Sequence, residues 1–339
     1  LNSTNRSFFN KTNCTVVSSV ERNMYPTAYS LFFIVGFPAN CLSLYVALML
    51  IRNGNSMAVY LLNLSISDLL YTISLPVWIE LALGVWAHGG YVCVLSVYSL
   101  YTNFYTSDAL LCCIAFDRYL AVVHPFKYTF LRKVDTAVGV SVAIWVLVVC
   151  FNAATITWED SYYEDSKFSQ CFDIFRPLSE SMFRANLARF FLGFICPVVL
   201  VVFFTRGLCE ALKTNQSTEE QERKQMSKLL TVILLCIVLF FGPVHIIMLV
   251  RAFVNDCRYL AWFIYPYKIS VAISSLNCLA DPLLYCFITR TGKENVNQFG
   301  SSFWHIGSLV GFSFCLSDRV GQSDISGSSF EHVESLKQS

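Results

Sequence analysis

Residues 111–125 read LCCIAFDRYLAVVHP. An apolar run breaks abruptly into Asp117-Arg118-Tyr119, turns apolar again, and stops at His124-Pro125. In the middle of a membrane an adjacent acid and base are expensive; at the end of a membrane helix, where both reach water, they cost little and can act as a switch. What surrounds the stretch decides between these readings. The chain has 339 residues, of which 55% are hydrophobic and only 14% charged, against the ~25% charged typical of soluble domains. Mean hydropathy is +0.54. Seven apolar segments approach or exceed the ~20 residues that a bilayer crossing needs: 28–51, 58–82, 92–119, 136–157, 187–206, 227–252 and 262–288. A soluble helical bundle would show charged outer faces, and segments such as LLTVILLCIVLFF (229–241) have none. The fold class is an all-α membrane protein, a bundle of seven transmembrane helices. The segment at 92–119 is the least apolar and is placed by its neighbours.

Charge and glycosylation patterns set the expected orientation. Asn-x-Ser/Thr sequons begin at Asn2, Asn5, Asn10 and Asn13, and four together point to an extracellular, glycosylated N-terminus over residues 1–27. A fifth sequon, at Asn63, falls within the second span and is expected to stay unmodified; Asn215 begins another on the inner side. The loops assigned to that inner side carry Arg52, then Lys127, Arg132 and Lys133, then Lys213, Arg223 and Lys224, in keeping with the positive-inside rule. The polar first 25 residues show no cleavable signal peptide, so the first span is expected to act as a signal anchor. Seven crossings then leave the C-terminus in the cytoplasm, and the cell surface is the expected location. A net charge of +1 gives no hint of a nucleic-acid partner.

Of 14 cysteines, four lie on segments read as extracellular: Cys14, Cys93, Cys171 and Cys257. An even number in an oxidising compartment favours two disulfides. A Cys93–Cys171 bridge would pin the loop after the fourth span over the bundle, leaving Cys14 and Cys257 to tie the tail to the last outer loop. Four cysteines allow three connectivities, and sequence does not choose among them.

Polar or proline punctuation marks the spans where it is costly: Asn40 after GFPA, Asp68 ending LNLSISD, Trp145, Pro197, Pro243, and Asn277 with the run DPLLY at Asp281–Tyr285. This ordered set, with Cys93 placed 25 residues before Arg118, resembles the rhodopsin-like (class A) G-protein-coupled receptors over about residues 25–300. The resemblance implies a receptor domain over 28–290, followed over 291–339 by a short amphipathic eighth helix and a Ser-rich tail. A helix starting near Cys93 reaches the inner face near Arg118, since ~1.5 Å per residue gives ~38 Å. In the family the matching arginine is held by its neighbouring acid at rest and turns to the G protein when active, which assigns coupling roles to Asp117, Arg118, Tyr119 and Tyr285. Pro125 ends the helix. The family's central polar site, where sodium or water gathers around the position of Asp68, maps onto Asp68, Asn277 and Asp281. Aspartate at 281 stands where asparagine is commoner, and two carboxylates in one low-dielectric space cannot both ionise cheaply. They form a candidate proton-linked pair; compensation by sodium or water is the alternative. Phe241 stands where family members more often have Trp, and no acid on the sixth span occupies the slot that locks the DRY arginine in some relatives, which suggests basal activity.

The spelling YLLNLSISDLLY, LPVWIE, CCIAFDRYLAVVHP, RFFLGF, PVHIIMLVR and SSLNCLADPLLYC is most similar to the proton-sensing group that includes the psychosine (T-cell death-associated) receptor and lysolipid-linked relatives. The resemblance implies a receptor that answers extracellular acid. Candidate ligand- or proton-sensing residues are His88, His245, Glu80, Arg189, Arg251, Lys268, Asp173, Glu159 and Asp160. Histidine titrates near neutral pH, with an unperturbed pKa of ~6.5. The cations Arg189, Arg251 and Lys268 offer the rival reading, an anionic lysolipid as ligand. Two departures from the group stand out: Val148 occupies a position where acid sensors carry a buried carboxyl, and Lys268 one where some carry histidine. Ser317, Ser323, Ser326, Ser328 and Ser329 make the tail a substrate for receptor kinases and arrestin capture, and Cys315 a palmitoylation candidate. No motif for catalysis, metal binding or a cofactor is present. A transporter or channel would show internal repeats and broken helices with paired half-site charges, and none is seen.

Overall fold

The structure is a computed structural model that describes residues 14–15, 19–83, 85, 88, 90–157, 174–175, 178–214, 220–254 and 256–288. Its order is β1 (Cys14–Thr15), α1 (Ser19–Arg52), α2 (Met57–Leu83), α3 (Gly90–Val123), a 3-10 turn (Thr129–Arg132), α4 (Val134–Thr157), β2 (Ile174–Phe175), α5 (Glu180–Phe190), α6 (Cys196–Thr214), α7 (Glu220–Cys236), α8 (Gly242–Ala252), α9 (Cys257–Ser275) and α10 (Asn277–Ile288). A π-helical turn, Phe191–Ile195, joins α5 to α6, and another, Ile237–Phe241, joins α7 to α8. A break at Leu276 separates α9 from α10. The described residues therefore form seven rods, each overlapping one of the seven apolar segments. The all-helical expectation gains one detail: β1 and β2 pair antiparallel, Cys14 opposite Phe175 and Thr15 opposite Ile174, beside α9.

Five rods carry stretches long and apolar enough to cross a membrane: Met24–Arg52, Met57–Leu83, Val134–Thr155, Glu180–Lys213 and Met226–Ala252. The third rod is more polar for a structural reason. α3 packs against α2, α4 and α6, and residues 101–108 are buried on every side of the helix. A helix that faces protein can carry Thr, Ser, Asn and Asp at a cost that a lipid-facing one cannot bear. Exposed large side chains such as Leu147, Leu192 and Phe203 present apolar surface of the kind acyl chains cover.

Two breaks in helical regularity position the site. Pro282 has no N–H, which frees the carbonyl of Cys278 four residues earlier; Asn40 Nδ2 donates to that carbonyl at 2.8 Å and to Gly36 O at 3.0 Å. The proline thus creates the acceptor through which α1 grips α10. Gly36 permits the approach, since a Cβ there would stand 3.3 Å from Leu279 Cδ2. At the inner end, Gly54 turns the chain at φ +80, and Asn55 Oδ1 caps α2 by accepting from Met57 N. Trp145 Nε1 donates to Asn63 Oδ1 at 3.0 Å and Asn63 Nδ2 to Val59 O, so the Asn63 amide is spent between α2 and α4. The chain divides into two units, Leu1–Pro282 and Leu283–Ser339; all the site geometry below belongs to the first.

Candidate functional site

At the inner end of α3, Arg118 Nη2 meets Asp117 Oδ2 at 2.6 Å. Ser56 Oγ, at the start of α2, donates to the other carboxylate oxygen at 3.0 Å. Asp117 is buried, so both its oxygens are used where a lone carboxylate would be costly. Among the described residues, the ion pair that Arg118 makes is with its neighbour. Tyr119 packs on Phe203 and Phe204 of α6, and Gly207 makes room for it, because a Cβ there would stand 2.7 Å from Tyr119 Cε2. Tyr285 falls in the last turns of α10 and its side chain lies outside the described residues.

The central polar residues lie in the interior. Asp68, Asn277 and Asp281 are all buried. Asn277 Nδ2 donates to Asp281 Oδ2 at 2.6 Å, and Asn103 Nδ2 to Asp68 Oδ1 at 2.9 Å. Cys278 Sγ adds a longer contact to the same oxygen at 3.5 Å. The Asp68 and Asp281 carboxyls lie within electrostatic range of each other. The sequence reading missed Asn103 and Cys278; the polar spelling of α3 was the available signal. Asp68 Oδ2, Asn103 Oδ1 and Asn277 Oδ1 have no hydrogen-bond partner among the described residues. Leftover hard oxygens of this kind suit a small hard cation or water. One further buried carboxyl went unnoticed: Asp108, in FYTSDALL of α3, is 1% exposed.

In the outer half, Arg189 is buried near the end of α5. Its guanidinium lies 4.6 Å from the Tyr101 ring centroid, 5.7 Å from that of Phe151 and 5.9 Å from that of Tyr105. Arg189 Nη2 donates to Thr155 Oγ1 at 2.9 Å. Rings at 101 and 105, one helical turn apart, supply the cation–π faces. His245 is buried on α8 and stacks on Phe194, with the Tyr105 ring edge-on at 5.8 Å. Its Nδ1 sits 2.8 Å from Phe241 O; a carbonyl only accepts, so Nδ1 carries the hydrogen. Gly193, inside the π turn, lets this wall close, because a Cβ there would lie 2.6 Å from Tyr105 Cε1. Arg251, in the last turn of α8, and Lys268, on α9, are half-buried on other rods. His88 Nε2 meets Glu80 Oε2 at 2.6 Å, with side chains 42% and 43% exposed, so these two candidates engage each other. Cys93 is disulfide-bonded. Cys171, Asp173, Glu159, Asp160, Asn2, Asn5, Asn10 and Asn13 lie outside the described residues, as do the side chains of Cys14 and Cys257 and all of 291–339.

The pattern of the 7 transmembrane receptor (rhodopsin family) matches residues 39–285. The chain belongs to that family. It is thus a multi-pass membrane receptor that couples to G proteins, in a family of signalling receptors rather than enzymes. It is similar to G-protein coupled receptor 65 of Homo sapiens, 38% identical over 292 residues that cover 82% of this chain and 86% of the relative. To G-protein coupled receptor 68 of Homo sapiens it is 34% identical over 313 residues, 91% of this chain and 83% of that one. Lysophosphatidic acid receptor 6 of Gallus gallus is 29% identical over 296 residues, 83% of this chain and 95% of its own.

Proposed function

We propose that this receptor responds to extracellular acid and that Asp68 and Asp281 are the groups through which protons bias it. The observation that carries the reading is their joint burial on α2 and α10, within range of each other and with oxygens to spare. A proton gained by the pair removes a like-charge repulsion between two rods and changes the balance between two packings of the bundle. At the inner face, release of Arg118 from Asp117, with an outward swing of the sixth rod, opens the cavity for the G protein; Tyr119 and Tyr285 are assigned coupling roles there. When sodium is bound, Asp68, Asn103 and Asn277 would hold it, and its charge would compete with a proton for the same carboxyl. In this reading the N-terminus is extracellular and glycosylated at Asn2, Asn5, Asn10 and Asn13, and the protein sits in the plasma membrane. Cys93 bridges Cys171 and Cys14 bridges Cys257. The latter pairing is favoured by the place of β1, which carries Cys14, beside α9, which begins at Cys257. The Ser-rich tail serves receptor kinases and arrestin.

A second reading has support of its own. Arg189, caged by Tyr101, Tyr105 and Phe151, suits the head group of an anionic lysolipid, and one relative is by name a lysophosphatidic acid receptor. The test is a second-messenger assay in transfected cells across pH about 6 to 8, spanning the ordinary histidine range, with and without lysolipid. Acid sensing predicts a rise on acidification that Arg189→Ala leaves standing and Asp68→Asn with Asp281→Asn abolishes. A flat pH response with a lipid response lost in Arg189→Ala would replace the first reading by the second.

A further inference from the structure

α3 presents a stripe toward the fifth rod at helical spacing: Tyr105, Asp108 and Cys112. Tyr105 stands against Gly193, and Cys112 Sγ contacts Pro197 O at 3.8 Å. Asp108 lies between these two contacts, within electrostatic range of both side chains. It is 1% exposed, and neither carboxyl oxygen has a hydrogen-bond partner among the described residues. That differs from the other acids of this unit's interior: Asp117 is met on both oxygens, while Asp68 and Asp281 each accept at one. Among the described residues, the groups around Asp108 supply no cation to it. On its own helix they are Tyr105 and Cys112; from α10 comes Asp281, itself acidic; from α6 comes Cys196, reaching Cys112. Arg189 and His245, from α5 and α8, meet Tyr105, one turn outward.

A carboxylate anion with no donor and no cation is not sustained in such surroundings. The same atoms as a neutral carboxylic acid cost far less to bury against an apolar interface than the anion does. We propose that Asp108 is a proton-binding site: it carries a proton while α3 and the fifth rod pack as here, and exchanges it with water when that interface loosens. The chemistry balances simply, with an O–H bond formed as a water-borne proton is taken up and broken as it returns to water. The site lies next to the π turn and Pro197, where the fifth rod is least constrained by its own hydrogen bonds. Proton binding here therefore counts the state of the α3–fifth-rod interface, and it does so whether or not acid is the agonist.

The test is infrared spectroscopy of the purified full chain in lipid nanodiscs. The wild type should show a carbonyl-stretch band of a protonated buried carboxylic acid that Asp108→Asn lacks. Asp108→Leu serves the same comparison if the amide variant fails to reach the membrane. Alongside, G-protein nucleotide exchange is followed against pH; loss of one coupled group should make the wild-type pH dependence less steep in the variant. Spectra of wild type and both variants that superimpose in the carboxylic-acid region would overturn the assignment. A pH dependence unchanged in slope and midpoint would overturn the coupling to signalling.

Discussion

Ser56→Ala removes one hydroxyl from the inner mouth of the receptor, and its consequence can be worked from the geometry. Asp117 accepts from Arg118 at 2.6 Å and from Ser56 at 3.0 Å, and Ser56 and Asp117 are both buried. A hydrogen bond to a charged group contributes about 1.5–3 kcal/mol. Ser56 holds the carboxylate in the position from which it pairs with Arg118, so losing the bond weakens the restraint on the arginine. Only the part of the bond that release itself breaks shifts the equilibrium. Half of the lower figure, about 0.75 kcal/mol, is a factor of roughly 3.5, and the whole of it roughly 12. Basal G-protein activation, measured by nucleotide exchange at matched surface expression, should therefore rise between about threefold and twelvefold. Ser56→Thr, which keeps the hydroxyl, should stay near wild type. If Ser56→Ala and Ser56→Thr give the same basal rate at equal surface density, the hydroxyl does not restrain the switch and the reasoning fails.

Three further outcomes follow from other contacts. Asn40→Leu should lower thermal stability in detergent by about 1–3 kcal/mol, because it strands the Cys278 carbonyl that Pro282 leaves without a helical donor; a melting curve unchanged from wild type would contradict this. Gly207→Ala places a methyl group 2.7 Å from Tyr119 Cε2, and the forced shift should cost about 1–3 kcal/mol, read as reduced melting temperature together with weakened G-protein coupling. His88→Gln should leave the acid response within about twofold of wild type, since an ion pair this exposed contributes little; abolition of the response would move the sensor from the buried carboxyls to the outer rim.

The seven spans were legible because lipid-facing rods must be apolar along their length, and α1, α2 and α4 are. α3 was faint for the opposite reason: buried among other rods, it is free to carry Thr102, Asn103, Thr106, Ser107 and Asp108. The same polar run that weakened the span signal held two residues of the site, Asn103 and Asp108, and an ionisable residue in the middle of a span was the cue to the second. Asp68, Asn277 and Asp281 were readable because each is costly in a membrane, and their meeting point followed from family order. Cys278 was not, since a cysteine in a span reads as a packing residue. The π turns left no clear mark, because their extra residue depends on what each rod packs against. The three outer cations looked alike in sequence; the structure separates Arg189, in its aromatic cage, from Arg251 and Lys268 on other rods. The meeting of His88 with Glu80 follows from no helical periodicity.

If protons promote coupling, then by reciprocity G-protein binding must promote proton uptake. Calorimetry of G protein binding to the purified receptor, run near neutral pH in two buffers of different ionisation heat, measures that uptake directly. The account predicts a net gain of protons by the complex that shrinks in the Asp68→Asn, Asp281→Asn double variant. Equal heats in both buffers, or an uptake that the double variant retains in full, would contradict it.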